Sequence, residues 1–445
     1  MNKTAIAQNG EDAISPRRSA EWLPAATGFF LALRTATVLL SARAFGLDPE
    51  LGSAINAALE FLLLGVVAFC TMGDRQPGQI RLGEMPPARW VIAFLAFSCC
   101  SLLWSATVSL ADSSVYWCAL ASDVITVSLL LETRSFDHAA DSLLEGYVWG
   151  ACVLAAIAWI MPAQPDLRLG DDELLGPNTI AYVCALAFFF AQYLLRERQR
   201  SLMLAATLLS VTVLRSLSKT TIAAFVVSEG FLLLRDRSIR GRKKVLILLA
   251  AAVVFTLFSS LLASYYDIYT STGNQSETLT GRLGIWAYFL AEAVRQPWLG
   301  HGFDSAWKVI PPFGADQFLA SQAHNELLQQ FYAYGSVGLV LFFGIYGSLW
   351  LQIRRVPWGR QRTFFTALLL FVLVRGLADT DRFDLSLPLW AVVSVAWLAE
   401  KACADSKKML AEGSQRALPV PENWRNGARG AQPGAQMSSD CNFWG

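Results

Sequence analysis

The run VLILLAAAVVFTLFSSLLA, residues 245–263, decides the fold class. It contains no charged residue, no Pro and no Gly, and it has the length, about 20 apolar residues, that a helix needs to cross the hydrocarbon core of a bilayer. Immediately before it stand Arg240, Arg242, Lys243 and Lys244. Such basic flanks mark the cytoplasmic side of a span, so one segment predicts both a membrane helix and its direction.

Windows of the same kind, bounded by polar or Pro/Gly breaks, recur on both sides of it. They lie near 22–41, 51–72, 89–109, 114–131, 143–161, 179–195, 201–217, 219–234, 327–353, 363–378 and 384–400. With residues 245–263 they predict an all-α integral membrane protein of about twelve transmembrane helices. The spans near 201 and 219 are parted only by Ser218. Composition agrees, because the 445 residues are 54% hydrophobic and only 16% charged, whereas soluble chains carry about a quarter charged residues. A net charge of +1 lacks the basic footprint of a nucleic-acid binder, and no nucleic-acid partner is expected.

Most of the 36 Lys and Arg residues fall in alternate connections, which places both termini in the cytoplasm. The predicted organisation is a cytoplasmic segment over 1–21, spans one to nine over 22–263, one large periplasmic loop over 264–326, spans ten to twelve over 327–400, and a disordered cytoplasmic tail over 401–445. The tail is rich in Gly, Pro, Gln, Ser and Asn. The first twenty residues lack an apolar core followed by a small-residue cleavage site, so no cleaved signal peptide is expected. None of the eight cysteines lies in the outer loop, where a disulfide could form, and no metal-ligand spacing is present. With no soluble catalytic domain, any chemistry must come from helix ends and the long loop.

Twelve spans also suit a transporter. Many transporters are built of repeated halves with polar sites near the midplane, but here the longest connection falls between spans nine and ten and breaks any such symmetry. Arg34, Glu60, Asp123 and Glu229 fall inside spans. Intramembrane charges are functional candidates, although Arg34 could equally pair with Glu60 or Asp123 as a structural link.

In the loop, Arg282 is followed by Leu283, Trp286, Leu290 and Val294, one face of a helix that Pro297 ends. Thr280 is its expected cap. Ser218 is likewise expected to cap the eighth span, with Lys219 in its first turn, and His324 immediately precedes the tenth. A cation in a first helical turn is opposed by the helix dipole by about 0.3–1 kcal/mol. Lys219 and Arg282 also stand on the side where positive charge is scarce. Helix N-termini favour phosphate, so the three groups predict a diphosphate clamp. Each residue taken alone is equally a solvated surface group. Gly300 and Gly302 explain a tight turn around His301 without its imidazole, and two histidines are too few for a zinc site.

The stretch from Leu279 to Gly338 resembles the signature region of the O-antigen ligase and polymerase family, particularly its exopolysaccharide polymerase branch. The resemblance rests on Thr280-Gly281-Arg282 with Trp286, on Arg295 to Phe303, and on His324-Asn325-Glu326-Leu327 followed by Gly335 to Leu339. Ser218-Lys219-Thr220 is similar to the family's Ser-basic motif, and Gly176-Pro177-Asn178 to its Asn turn; together they cover about Leu175 to Trp390. Two positions depart from the pattern. Lys219 stands where many ligases have Arg, keeping charge without bidentate geometry, as is common among the polymerases. His301 stands where Tyr is frequent.

The resemblance implies a glycosyltransferase C-like fold in the bacterial inner membrane and an inverting, metal-independent, cofactor-free enzyme. It would move glycan from an undecaprenyl-diphosphate carrier to an acceptor glycan or lipid at the periplasmic face, with a flippase and a chain-length regulator as partners. Polymerisation of exopolysaccharide or O-antigen repeat units is the leading expectation, and ligation of polymer to lipid A core the alternative. Arg282 and Lys219 would stabilise the leaving diphosphate. His324 would act as general base, since an imidazole ordinarily titrates near ~6.5, or would hydrogen-bond the diphosphate, with Asn325 or Glu326 orienting it. Trp286, Gly300, His301, Gly302 and Asn178 complete the expected substrate-binding set.

Overall fold

A computed structural model describes residues 21–72, 81–133, 138–171, 173–195, 200–235, 240–272, 279–312 and 320–416. Among them, every extended element is helical, with one isolated bridge between Asp171 and Leu175. The helices are α1 (Leu23–Phe45), α2 (Pro49–Met72), α3 (Pro86–Ser101), α4 (Leu110–Glu132), α5 (Ala139–Ile160), α6 (Pro177–Leu194), α7 (Arg200–Arg215), α8 (Lys219–Arg235), α9 (Gly241–Thr272), α10 (Leu279–Arg295), α11 (Ala306–Val309), α12 (Glu326–Arg355), α13 (Arg360–Gly376) and α14 (Leu389–Arg416). Each predicted span falls on one of these. Six of them, α1, α2, α4, α5, α6 and α12, are long and apolar enough to cross a membrane. By contrast, α3 and α7 have 16 residues and α8 and α13 have 17, short of the ~20 that a perpendicular crossing needs.

The chain forms two units, Met1–Ala402 and Cys403–Gly445. The described part of the second is helical as far as Arg416, past position 401, where a disordered tail was expected. Residues 1–20 and 417–445 lie outside the described residues, so the expectations placed on them are not addressed by the structure.

Within the first unit, α1 and α5 lie backbone to backbone. A methyl group on Gly28 would land inside the Leu143 carbonyl, and one on Gly146 inside that of Ala25. In a bilayer, where apolar side chains gain little by leaving lipid, such close approach through small residues is what holds helices together. Electrostatics adds a second link, because Arg34 of α1 pairs with Asp123 of α4 and, at 3.3 Å, with Glu60 of α2. Asn56 donates to the same Glu60 oxygen at 3.1 Å. The link expected from sequence therefore engages both carboxylates, and it ties three helices.

The helix α12 bends at Gly335, where φ is 62° and ψ −152°. In a continuous helix the amides of Ser336 and Val337 would bond to the carbonyls of Tyr332 and Ala333. Here they donate to the carbonyls of Pro297 at 2.7 Å and Trp298 at 3.4 Å. The freed carbonyls of Tyr332 and Ala333 accept from the amides of His301 at 3.0 Å and Gly302 at 2.8 Å. The loop after α10 thus replaces both hydrogen bonds lost at the kink. The backbones approach so closely that a Cβ on Gly300 would lie 2.5 Å from the Ala333 carbonyl carbon. Two sequence motifs, 297–303 and 335–339, are therefore one interlocked unit that carries α10 and the start of α12 together.

Candidate functional site

Arg282 sits in the first turn of α10 as described, and α10 ends at Arg295, just before Pro297. Thr280 falls inside the helix rather than at its cap position, and its side chain lies outside the described residues. The Arg282 guanidinium donates to the carbonyl of Ala378, in the turn after α13. His324 occupies left-handed backbone, with φ 50°, immediately before α12, and its Nδ1 lies 3.4 Å from Asp379 Oδ1. The two predicted groups therefore meet at one short segment, 378–379.

Asp379 is the centre of this cluster. Its other oxygen accepts from Arg375 Nη2 at 2.8 Å, and Arg375 lies over the Tyr182 ring at 4.1 Å. Burial alone would push the Asp379 carboxyl up, but Arg375, His324 and Arg282 outweigh it and hold it down at about 2. The carboxylate is thus fixed and charged, with the side chain of His324 20% exposed above an Asp379 side chain that is only 3% exposed. A buried anion behind a reachable imidazole fixes the orientation of the ring.

Asn325 and Glu326, the two candidates for orienting His324, make hydrogen bonds to other groups. The Asn325 side chain caps α12, its Oδ1 accepting from Leu328 N at 3.0 Å while its Nδ2 donates to Leu377 O at 2.9 Å. Glu326 is turned inward. It accepts from Tyr346 Oη at 3.1 Å and from Ser386 N at 2.7 Å, bracing the start of α12 against the segment before α14. It is buried, with 2% exposed. His301 is likewise turned inward. It is buried, stacked on Tyr332 at 4.9 Å, with Nε2 3.0 Å from the Glu292 carbonyl, so it locks α10 to α12. Gly300 and Gly302 serve the same interlock. Trp286 lies on α10, and its indole N–H is buried with no partner among the described residues.

Lys219 and Asn178 belong to a second cluster. Lys219 opens α8 as expected, with its ammonium over the Tyr265 ring at 5.3 Å. Ser218 contributes its carbonyl to the Ile222 amide at 2.9 Å, but its hydroxyl donates to Asn178 Oδ1 at 2.7 Å instead of capping the helix. The same Asn178 oxygen accepts from Arg168 Nη2 at 3.0 Å. Asn178 therefore ties the start of α6 to the turn that presents Lys219, which is a positioning arrangement.

Sequence reasoning missed Asp379, Arg375 and Arg168. A signal for the first two did exist, in the charged run Asp379, Asp381, Arg382 and Asp384 between two apolar segments, with Arg375 one helical turn ahead. Arg168 carried none beyond its position in an outer connection.

The family model described as O-Antigen ligase matches residues 203–343, a range that holds Lys219, Arg282 and His324. The chain is 29% identical over 315 residues to an O-antigen ligase of Pseudomonas aeruginosa, covering 66% of this chain and 72% of the relative. It is 24% identical over 289 residues to the exopolysaccharide production protein ExoQ of Rhizobium meliloti, covering 58% of this chain and 64% of that protein. Residues 203–343 of this membrane protein thus match the O-Antigen ligase family model, and the chain as a whole is similar to an O-antigen ligase and to an exopolysaccharide production protein.

Proposed function

We propose that the protein is an inverting, metal-independent glycosyltransferase of the inner membrane that polymerises polysaccharide repeat units carried on undecaprenyl diphosphate. One observation carries this reading: Arg282 and His324, from separate elements, converge on the segment Ala378–Asp379. In the proposed reaction an acceptor hydroxyl oxygen attacks the anomeric carbon and the bond from that carbon to the diphosphate oxygen breaks. The lipid diphosphate leaves with the electron pair. His324 takes the hydroxyl proton, with Asp379 and Arg375 as positioning residues behind it. Arg282 and Lys219 face the charge that grows on the diphosphate, the group whose stabilisation lowers the barrier most in such transfers. Two fixed side-chain cations can perform this without a metal ion.

The proposed topology has twelve spans, both termini in the cytoplasm and the segment 264–326 at the periplasmic face. The likeness to ExoQ and the Lys219 variant support polymerisation. The higher identity and longer match to an O-antigen ligase favour a second reading, transfer of finished polymer to lipid A core. Surface glycan from a deletion strain separates them on a gel. Single repeat units would support the polymerase, whereas full-length polymer held on its carrier and missing from lipid A would support the ligase. Normal glycan in both fractions would overturn both.

A further inference from the structure

Beside the His324 cluster lies a small cavity whose lining includes Asp304, Ser321, Gln329, Gln330, Arg382 and Asp384. Its free room is about 10 Å³, roughly one water-sized sphere, so it fits a single hydroxyl group and no sugar ring. It is joined to the site through Gln329, whose Oε1 accepts from the amide of Ala323, the residue before His324, at 2.8 Å.

Most of its polar groups are already committed. Asp304 accepts from Arg382 Nε at 2.9 Å and from Ser113 Oγ at 2.8 Å. Ser305 donates to the Gly302 carbonyl at 2.9 Å, and Asp384 accepts from Leu389 N at 3.0 Å. Gln330 is the exception. It is 3% exposed, and its Oε1 accepts a hydrogen bond from no described residue. Leaving such an acceptor unsatisfied is unfavourable, and a polar ligand reaching it removes that penalty. Asp304 holds the wall in left-handed backbone, with φ 58°. Arg382, between the rings of Trp307 at 5.0 Å and Phe383 at 4.7 Å, forms a cationic and aromatic rim suited to a saccharide.

We propose that this cavity takes one hydroxyl of the sugar next to the reacting bond, with Gln330 Oε1 as its acceptor, and so selects the sugar that is transferred. The assignment rests on the glycosyl-transfer reading for the identity of its ligand. A site built to hydrogen-bond a hydroxyl rejects ligands that present it wrongly, because its buried group is then left unpaired.

The test is donor binding by the full-length protein in lipid nanodiscs, with transfer measured separately. The probes are undecaprenyl diphosphate bearing glucose, galactose, mannose or N-acetylglucosamine. The wild type should prefer one of the four by about tenfold or more. The near-isosteric Gln330→Met should level the series, and Gln330→Glu, which keeps an acceptor, should retain the preference. Equal binding of all four donors by the wild type, or an unchanged ranking in Gln330→Met, would overturn the assignment. Sugar-selective binding without transfer would leave the assignment standing and count against the proposed function instead.

Discussion

His324 Nδ1 lies 3.4 Å from Asp379 Oδ1, a separation at the long end of hydrogen bonding, between a partly exposed ring and a buried carboxylate that Arg375 already grips from the other side. Contacts of this kind often tighten only when substrate binds. If Asp379 orients the ring, Asp379→Asn should lower kcat by about 10²-fold, the scale of a lost acid–base contribution. KM should change little and the bell of the pH profile should shift. Steady-state transfer rates across pH decide the matter. A variant whose KM rises while kcat and pH profile stay as in the wild type would place Asp379 in donor binding instead.

The same carboxylate predicts an acid transition. Its value in the fold, about 2, lies below the ordinary ~3.9 of an unfolded Asp. Its contribution is therefore fully present above about pH 4 and disappears as pH falls through about 2. The difference corresponds to roughly 2–3 kcal/mol. Unfolding of the detergent-solubilised protein should show stability falling over this window in the wild type. In Asp379→Asn that portion of the slope should be missing, and parallel curves for the two proteins would refute it.

The interlock of α12 with the loop after α10 makes a stability prediction. At Gly335, a side chain would meet both an unfavourable φ of 62° and the Trp298 backbone. Gly335→Ala should cost about 3 kcal/mol or more, read as a lower melting temperature. Val340→Ala, at an exposed position on the same helix, should cost much less. Equal shifts in the two variants would remove the interlock from the account.

How far the sequence discloses this site depends on which constraints are local. The helices are legible because a continuous apolar run of about 20 residues can satisfy its backbone hydrogen bonds within one segment in a bilayer only as a helix. Arg282 and Lys219 are legible because a cation at a helix start is locally unfavourable. Asp379 is not, because its meaning arises only when the turn after α13 comes to lie against α10 and the start of α12. The division of labour in His324-Asn325-Glu326 is hidden for the same reason. All three can serve a helix start, and only tertiary packing turns Asn325 to the cap and Glu326 to Tyr346.

The proposed topology is checked by paired reporters. A fusion that is active only outside the cytoplasm should be active when placed at Lys308 and silent at Arg240, and a cytoplasmic fluorescent fusion should behave oppositely. The positive-inside rule, on which this topology rests, governs short loops of the kind that carries Arg240. Cytoplasmic signals at both positions would remove the long segment from the periplasmic face.

Arg34 with Glu60 and Asp123 offers the sharpest contrast between an enzyme and a transporter. Removing the cation would strand two carboxylates whose side chains are 3% and 5% exposed, and breaking a buried pair from one side costs about 3–5 kcal/mol. Arg34→Met should therefore lower the melting temperature. The triple change Arg34→Met, Glu60→Gln, Asp123→Asn should restore much of it, because neutral groups of similar shape avoid the stranded charge. Transfer activity per folded molecule should match the wild type in the triple variant, since the cluster joins α1, α2 and α4 and not the Asp379 site. A fully stable triple variant that no longer transfers glycan would give these charges a role in moving substrate, and the transporter reading would then regain its claim.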